Sequence, residues 1–328
     1  MKYIRFVVSG IFILFSSACF MSTRPQVNNV PQEVIDQPLS ELEQLVAQQN
    51  EGIVGLRPDN GSKIYWADSI RKTEYCLVYL HGFSASGMGA DPMHRELARR
   101  YGMNLYIPRL FAHGITAEDA MLEFNAKDYI DSAKEAIAIA KKMGEKLIIM
   151  SCSTGSSLSL YLAAGDPDII GLLLMSPNIR IANRAAFFLS GPWGLTFARL
   201  VHGSHFEWSH PNEEVGKYWT FRYRTEAIVQ LQRFMKATMK KATFKQVKQP
   251  VFLGYYYKNK KEQDDVVSVA AMLKMFRQLG TPSELKEEIA FKEAATHTIC
   301  SRWHSREIEN LQNQLQEFIE NVLRISPL

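Results

Sequence analysis

Cysteine, one-sided charge and long apolar runs are all scarce in this chain. Four cysteines among 328 residues cannot supply a disulfide framework. Lys and Arg outnumber Asp and Glu by only 38 to 34, a net charge of +4. That is too small to mark a nucleic-acid surface, and no DNA- or RNA-recognition motif accompanies it. No apolar stretch reaches the roughly 20 residues of a membrane-spanning helix. Repeats and low-complexity tracts are absent too. What is there is a chain 46% hydrophobic and 22% charged, with material for one large core and no sign of wholesale disorder.

The first 19 residues are set apart. Lys2 and Arg5 precede an apolar run at residues 6–15, then Ser16, Ser17, Ala18 and Cys19. A basic start, a short apolar stretch and small residues before a cleavage point read as an export signal. Small residues before a cysteine also resemble the signal of bacterial lipoproteins, with Ser16 where that signal usually carries Leu. The resemblance implies an exported, membrane-anchored protein of the bacterial cell envelope, lipidated at Cys19. An ordinary cleaved signal and an uncleaved anchor are the alternatives. Residues 20–37, with Pro25 and Pro31, read as a linker. Cys76, Cys152 and Cys300 remain, an odd number that leaves at least one free thiol. Cys152 and Cys300 either pair or, as the simpler reading has it, stay buried and reduced.

From residue 38 onward, apolar strands alternate with amphipathic helices. Strands are expected at 75–80, 104–107, 146–150, 169–175, 251–257 and 284–291. Helices are expected at 40–49, 92–101, 128–143, 156–164, 266–279 and 305–323. The alternation breaks at 179–248, which shows no clear strand and several helices. The expected architecture is an α/β fold, a mostly parallel central sheet with helices on both faces. Its core would run over 38–178 and 249–328, interrupted by a helical cap at 179–248.

The segment Ser151-Cys152-Ser153-Thr154-Gly155 lies between an apolar strand and a Leu- and Ala-rich helix. A tight strand-to-helix turn lifts its central serine clear of the sheet, and the crowded backbone demands small neighbours. Ser151 stands where the G-x-S-x-G pattern has glycine. The helix N-terminus directs free N–H groups toward the serine. A serine hydroxyl needs a neighbouring base to act as a nucleophile. His297 lies between the last strand and last helix, where such a base belongs; His304 reads as a surface residue. Either Asp264 or Asp265 could orient the histidine, the other serving as a helix N-cap. His202, His205 and His210 match no zinc-binding spacing, so no metal or cofactor is expected.

Four segments in order now carry a resemblance. His81-Gly82-Phe83 resembles an oxyanion loop, and the run from Pro108 to Gly114 resembles P-R-L-x-G-H-G, with Ala112 replacing a glycine. The serine turn and Asp264-Asp265-Val266-Val267 complete the set. Together they resemble the carboxylesterase and monoacylglycerol-lipase branch of the α/β-hydrolases, over roughly residues 50–325 apart from the cap. The resemblance implies Ser153 as nucleophile, His297 as base, Asp264 as acid, and the N–H groups of Phe83 and Thr154 as oxyanion hole. His81 and His113 then read as structural. The implied activity is hydrolysis of carboxylic esters, with an acyl-lipid or other hydrophobic small-molecule acyl ester as substrate. An amidase or peptidase with the same triad, and an inactive interaction module, are the alternatives. Ser153 argues against a dehalogenase, which needs aspartate there.

The cap holds 12 Lys or Arg against 4 Glu and no Asp, with 12 aromatic residues. Aromatics beside cations suit contact with an anionic membrane surface. Packing of those aromatics onto the core is the competing explanation.

Overall fold

A computed structural model describes residues 35–209 and 213–328. The expected signal, Cys19, His210 and all but the last three residues of the expected linker lie outside them. Strands form at β1 (Lys63–Tyr65), β2 (Thr73–Leu80), β3 (Asn104–Ile107), β4 (Gly144–Cys152), β5 (Ile169–Met175), β6 (His205–Glu207), β7 (Arg222–Arg224), β8 (Val251–Tyr256) and β9 (Lys286–Phe291). Seven of these make one sheet in the order β1-β3-β2-β4-β5-β8-β9, parallel throughout except that β1 runs against β3. The helices are α1 (Leu42–Glu51), α2 (Met93–Arg100), α3 (Ala126–Met143), α4 (Thr154–Ala163), α5 (Gly194–His202), α6 (Glu213–Tyr218), α7 (Thr225–Thr238), α8 (Lys241–Gln246), α9 (Val269–Gln278) and α10 (Ile308–Asn321).

The strand pleat divides the core into two layers. Cys76, Val78 and Leu80 of β2 join the layer that includes α3, α4 and α9, while Leu77 and Tyr79 join the layer of α2 and α10. Strands β4 and β5 lie at the sheet centre and are buried on both faces, hence their unbroken apolar runs at 147–150 and 172–175. Helix α3 starts where the Asn125 side chain accepts the Asp128 N–H, and its Ile130, Ala133, Ile137 and Ala140 are buried.

Every strand and helix expected outside the insertion is present, with ends that coincide or shift by at most three residues. Two small features were not expected. Edge strand β1 is three half-buried residues long, too short to show a period. Residues 179–248 also contain strand: β6 and β7 pair antiparallel as a separate ribbon. Their charged sequences His205-Phe206-Glu207 and Arg222-Tyr223-Arg224 bury only Tyr223, so they carry no apolar run.

The inserted segment is tied down unevenly. Arg57 donates to the carbonyls of Gly216 and Trp219 and to Thr220 Oγ1, and the Thr220 N–H donates to Ser84 O at 2.7 Å. Burial of the Arg57 guanidinium lowers its pKa. Helix α7 buries Phe234 in edge contact with Tyr129 of α3. The portion from Arg184 to His202 instead turns much of its apolar surface outward.

Candidate active site

The turn from β4 into α4 places Ser153 at φ 55° and ψ −120°, a region that costs a non-glycine residue about 1–3 kcal/mol. The neighbours explain why it is kept. A Cβ on Gly155 would lie 2.1 Å from Leu80 O, so α4 starts against the β2 backbone only because residue 155 is glycine. Ser151, standing where the usual pattern has glycine, is fully buried and hydroxyl-bonded to Ser156 and Ser159 at 3.1 and 2.8 Å. Two serines on α4 thus satisfy the hydroxyl that the substitution introduces.

Three side chains from separate loops meet here. His297 Nε2 lies 2.8 Å from Ser153 Oγ, and His297 Nδ1 lies 2.6 Å from Asp264 Oδ2. The other Asp264 oxygen accepts the N–H groups of Val266 and Val267 at 3.0 and 2.9 Å. Those bonds fix the carboxylate and leave Oδ2 for the histidine, so Nδ1 carries a proton and Nε2 faces the serine as an acceptor. Asp265 is exposed and contacts neither group, and the N-cap of α9 is the Ser268 hydroxyl. The expectation that the unused aspartate caps this helix is therefore corrected.

No family model matches the chain. A thermostable monoacylglycerol lipase from Bacillus sp. strain H-257 is 29% identical over 115 residues, 35% of this chain and 45% of that protein. The match thus spans less than half the length of that curated relative. Among solved structures, one of the metagenome-derived lipolytic enzymes LipS and LipT is similar with a TM-score of 0.66 at 17% identity, over 81% of this chain and 99% of that one. A soluble variant of monoglyceride lipase from Saccharomyces cerevisiae, in complex with a substrate analogue, gives 0.59 at 13% identity, over 79% and 91%. Est1E from Butyrivibrio proteoclasticus with bound ferulic acid gives 0.55 at 12%, over 80% and 95%. The fold is that of the α/β hydrolases.

In this α/β-hydrolase frame, the N–H groups of Phe83 and Thr154 flank the serine. Gly82 approaches it so closely that a Cβ there would lie 3.2 Å from Ser153 Cβ. Neither N–H has an acceptor among the described residues. Each belongs to a planar peptide unit held by its own carbonyl. The Gly82 carbonyl receives His81 Nδ1–H at 3.0 Å and the Ala85 N–H at 3.2 Å. The Ser153 carbonyl receives the N–H groups of Asn178 and Ser156, both at 3.0 Å. His81 Nε2 accepts the Leu110 N–H, which fixes its tautomer, and burial pulls its pKa down to about 4. It acts as a neutral clamp on the peptide that bears the Phe83 N–H. His113, also buried with its pKa lowered, packs edge-on against His81 at 5.0 Å.

A cavity of about 1010 Å³ opens beside Ser153. One wall, from the insertion, includes Leu189, Phe197, Ile228 and Leu231; the other includes Ser84, Thr296 and His304. His304 had the sequence look of a surface residue beside Trp303. Instead its Nδ1 bonds Ser301 Oγ and its ring packs edge-on against Trp219, a contact 85 positions away in sequence. Asn178 likewise carried no local motif, only its position just after β5. Cys152 and Cys300 are buried free thiols beneath the turn, and contact with Cys300, together with burial, raises the Cys152 pKa. Among the described residues, no three His, Cys, Asp or Glu cluster as metal ligands would.

The geometry separates the two aspartates, since only Asp264 reaches His297. Asp264→Asn should lower kcat by about 10⁴, the cost of a wrong histidine tautomer in serine proteases. Asp265→Asn should change stability by under about 0.5 kcal/mol, as exposed substitutions usually do. Steady-state kinetics on both variants check this; a crippled Asp265 variant beside an active Asp264 variant overturns the assignment.

Proposed function

We propose that the protein hydrolyses carboxylic esters with a hydrophobic acyl group through an acyl-enzyme on Ser153. The observation that carries this reading is the unbroken chain Ser153–His297–Asp264 at the foot of a largely apolar cavity. Ser153 Oγ attacks the acyl carbonyl while His297 Nε2 takes its proton and then delivers it to the leaving oxygen. Asp264 stabilises the resulting imidazolium. The N–H groups of Phe83 and Thr154 receive the oxyanion, and one such donor is typically worth about 10²–10³ in kcat. His297 then activates water to release the acid.

The reading extends to a membrane surface. The 12 aromatics of residues 179–248 divide into two sets. Eight are buried or half-buried, whereas Phe187, Phe188, Trp193 and Phe197 are exposed. On α5, Gly194 and Ala198 turn inward, and Phe197, Leu200 and Val201 turn outward at helical spacing, the last two 77% and 75% exposed. Packing thus accounts for the eight and leaves an apolar face beside Arg184 and Lys236, the latter over the Phe187 ring. Phe197 and Val201 also line the cavity, so an acyl chain could pass from lipid to Ser153 without crossing water. Export and lipidation at Cys19 would hold the domain at such a surface.

A fluorophosphonate probe should label Ser153, and Ser153→Ala should lose labelling and about 10⁶ of kcat. Labelling retained in that variant would falsify the assignment. Chain beginning at residue 35 should bind anionic vesicles better than neutral ones and lose the preference in high salt. Equal binding to both, or none, leaves the exposed face without a membrane role. For the anchor, mass spectrometry of protein from the native envelope should find a diacylglyceryl Cys19 as the first residue; an unmodified N-terminus elsewhere refutes it.

A further inference from the structure

The Phe83 N–H stands at the end of a chain of hydrogen bonds that begins at Arg57. The peptide bearing it ends in the Gly82 carbonyl, which accepts the Ala85 N–H at 3.2 Å. The Ala85 peptide ends in the Ser84 carbonyl, which accepts the Thr220 N–H at 2.7 Å. The Thr220 peptide ends in the Trp219 carbonyl, which accepts a proton of Arg57 Nη1 at 2.9 Å. Three planar peptide units, linked carbonyl to N–H, thus run in one direction from a guanidinium to a donor beside Ser153. Ser84 holds the middle link at φ 61°, a left-handed conformation that a non-glycine residue adopts only when its surroundings impose it.

Arg57 is fixed at the head of this chain. Its backbone N–H donates to Gly114 O at 2.9 Å, and its side chain donates further to Gly216 O and Thr220 Oγ1, at 3.1 and 3.0 Å. Its Nε is buried without a partner, and among the described residues the side chain pairs with no carboxylate. A guanidinium stays charged at any pH a protein survives. Burying a cation without a counter-ion is costly, and here carbonyl dipoles near the end of α6 take the place of one. The charge is therefore spent on the segment that reaches the oxyanion loop. Hydrogen-bonded chains polarise from link to link, by roughly 10–30% per bond. A cation on Trp219 O strengthens the Thr220 N–H as a donor, that bond strengthens the Ala85 N–H, and the effect ends on the Phe83 N–H.

Building on the ester-hydrolase reading, we infer that Arg57 is a positioning residue for the oxyanion hole, aiming and polarising the Phe83 N–H through the Trp219, Ser84 and Gly82 carbonyls. Arg57 does not line the cavity, so it meets no part of the substrate. Its effect falls on the transition state, because only there does the acyl oxygen carry the charge that the Phe83 N–H receives.

Arg57→Met should lower kcat on the methyl ester of a medium-chain acid about tenfold and leave KM within about threefold. Arg57→Lys, which keeps a cation able to reach Trp219 O, should recover most of the loss. An alkyl trifluoromethyl ketone that adds to Ser153 carries an oxyanion, so its inhibition constant should rise in Arg57→Met by about the factor that kcat falls. The matching secondary alcohol, which cannot add, should bind both proteins alike, whereas a general disturbance of the fold would weaken both ligands. A measurement on wild-type protein stands beside the variants should either fold poorly. Forming the ketone adduct should move the Phe83, Ala85 and Thr220 amide protons downfield together in NMR spectra. An unchanged kcat in Arg57→Met, equal weakening of ketone and alcohol, no recovery in a folded Arg57→Lys, or a Thr220 amide proton that stays in place overturns the inference and leaves the hydrolase reading standing. Absence of turnover and of probe labelling alike in wild-type protein sinks the hydrolase reading, and this inference with it.

Discussion

Helix α4 begins in contact with the backbone of β2, and the site depends on that approach. With no Cβ at residue 155, the helix start can sit against Leu80 O. The chain must then reverse direction within a residue of the strand end, and Ser153 takes up the strain at φ 55°. The strain is held by bonds on both sides, the Ser153 N–H to Met175 O and the Ser153 carbonyl to Asn178 and Ser156. A flexible serine would need no such bracing. Under the proposed function, a serine held this way needs no ordering when substrate arrives, which is where positioning contributes to rate.

The same economy governs the proposed oxyanion donors. Neither the Phe83 nor the Thr154 N–H is itself anchored, yet each is aimed through the carbonyl at the opposite end of its own peptide. His81 does this on one side, and it can do so only as a neutral ring with a fixed tautomer. Burial supplies the neutrality, and the Leu110 N–H supplies the tautomer. The P-R-L-x-A-H-G segment matters through that Leu110 N–H. Its Ala112 sits at φ 62°, the left-handed region that the related pattern meets with glycine. This chain thus carries there a cost of order 1 kcal/mol, close to the site it supports.

What the sequence displayed was whatever repeats or recurs locally. The apolar runs of β4 and β5 and the spacing of α3 gave the core's alternation, because burial on two faces or one leaves a period behind. Ser153 and His297 were legible because a strand-to-helix turn and a late loop are marked by small residues and position. The choice of Asp264 over Asp265 was not legible from the residues themselves; it came from resemblance, and the geometry that separates them is two backbone N–H groups on one oxygen of Asp264. The ribbon β6–β7 escaped because it is short, charged and pinned by the tertiary fold. His304 escaped for a related reason. A histidine that follows Trp303 at the edge of the last helix looks like surface, and only its tie to Ser301 and the distant Trp219 makes it part of a cavity.

The insertion contributes none of the three linked side chains, yet it supplies the wall facing Ser153, mostly apolar with Asn183, His202 and Gln232 as its polar members. Under the proposed function, chemistry and acyl selection are therefore built from different parts of the chain. The first stands on strand ends that are buried on both faces and cannot shift without opening the core. The second rests on a segment fastened firmly at residues 216–220 through Arg57 and more loosely committed from Arg184 to His202, where apolar side chains face outward. Under the proposed function, that division has a physical consequence. The reacting groups keep one geometry whatever the substrate, while the wall that meets the acyl group can adjust its packing at little cost. Its outward face has no core contacts to lose, so changes at residues 184–202 would alter which esters are accepted long before they disturbed Ser153, His297 or Asp264.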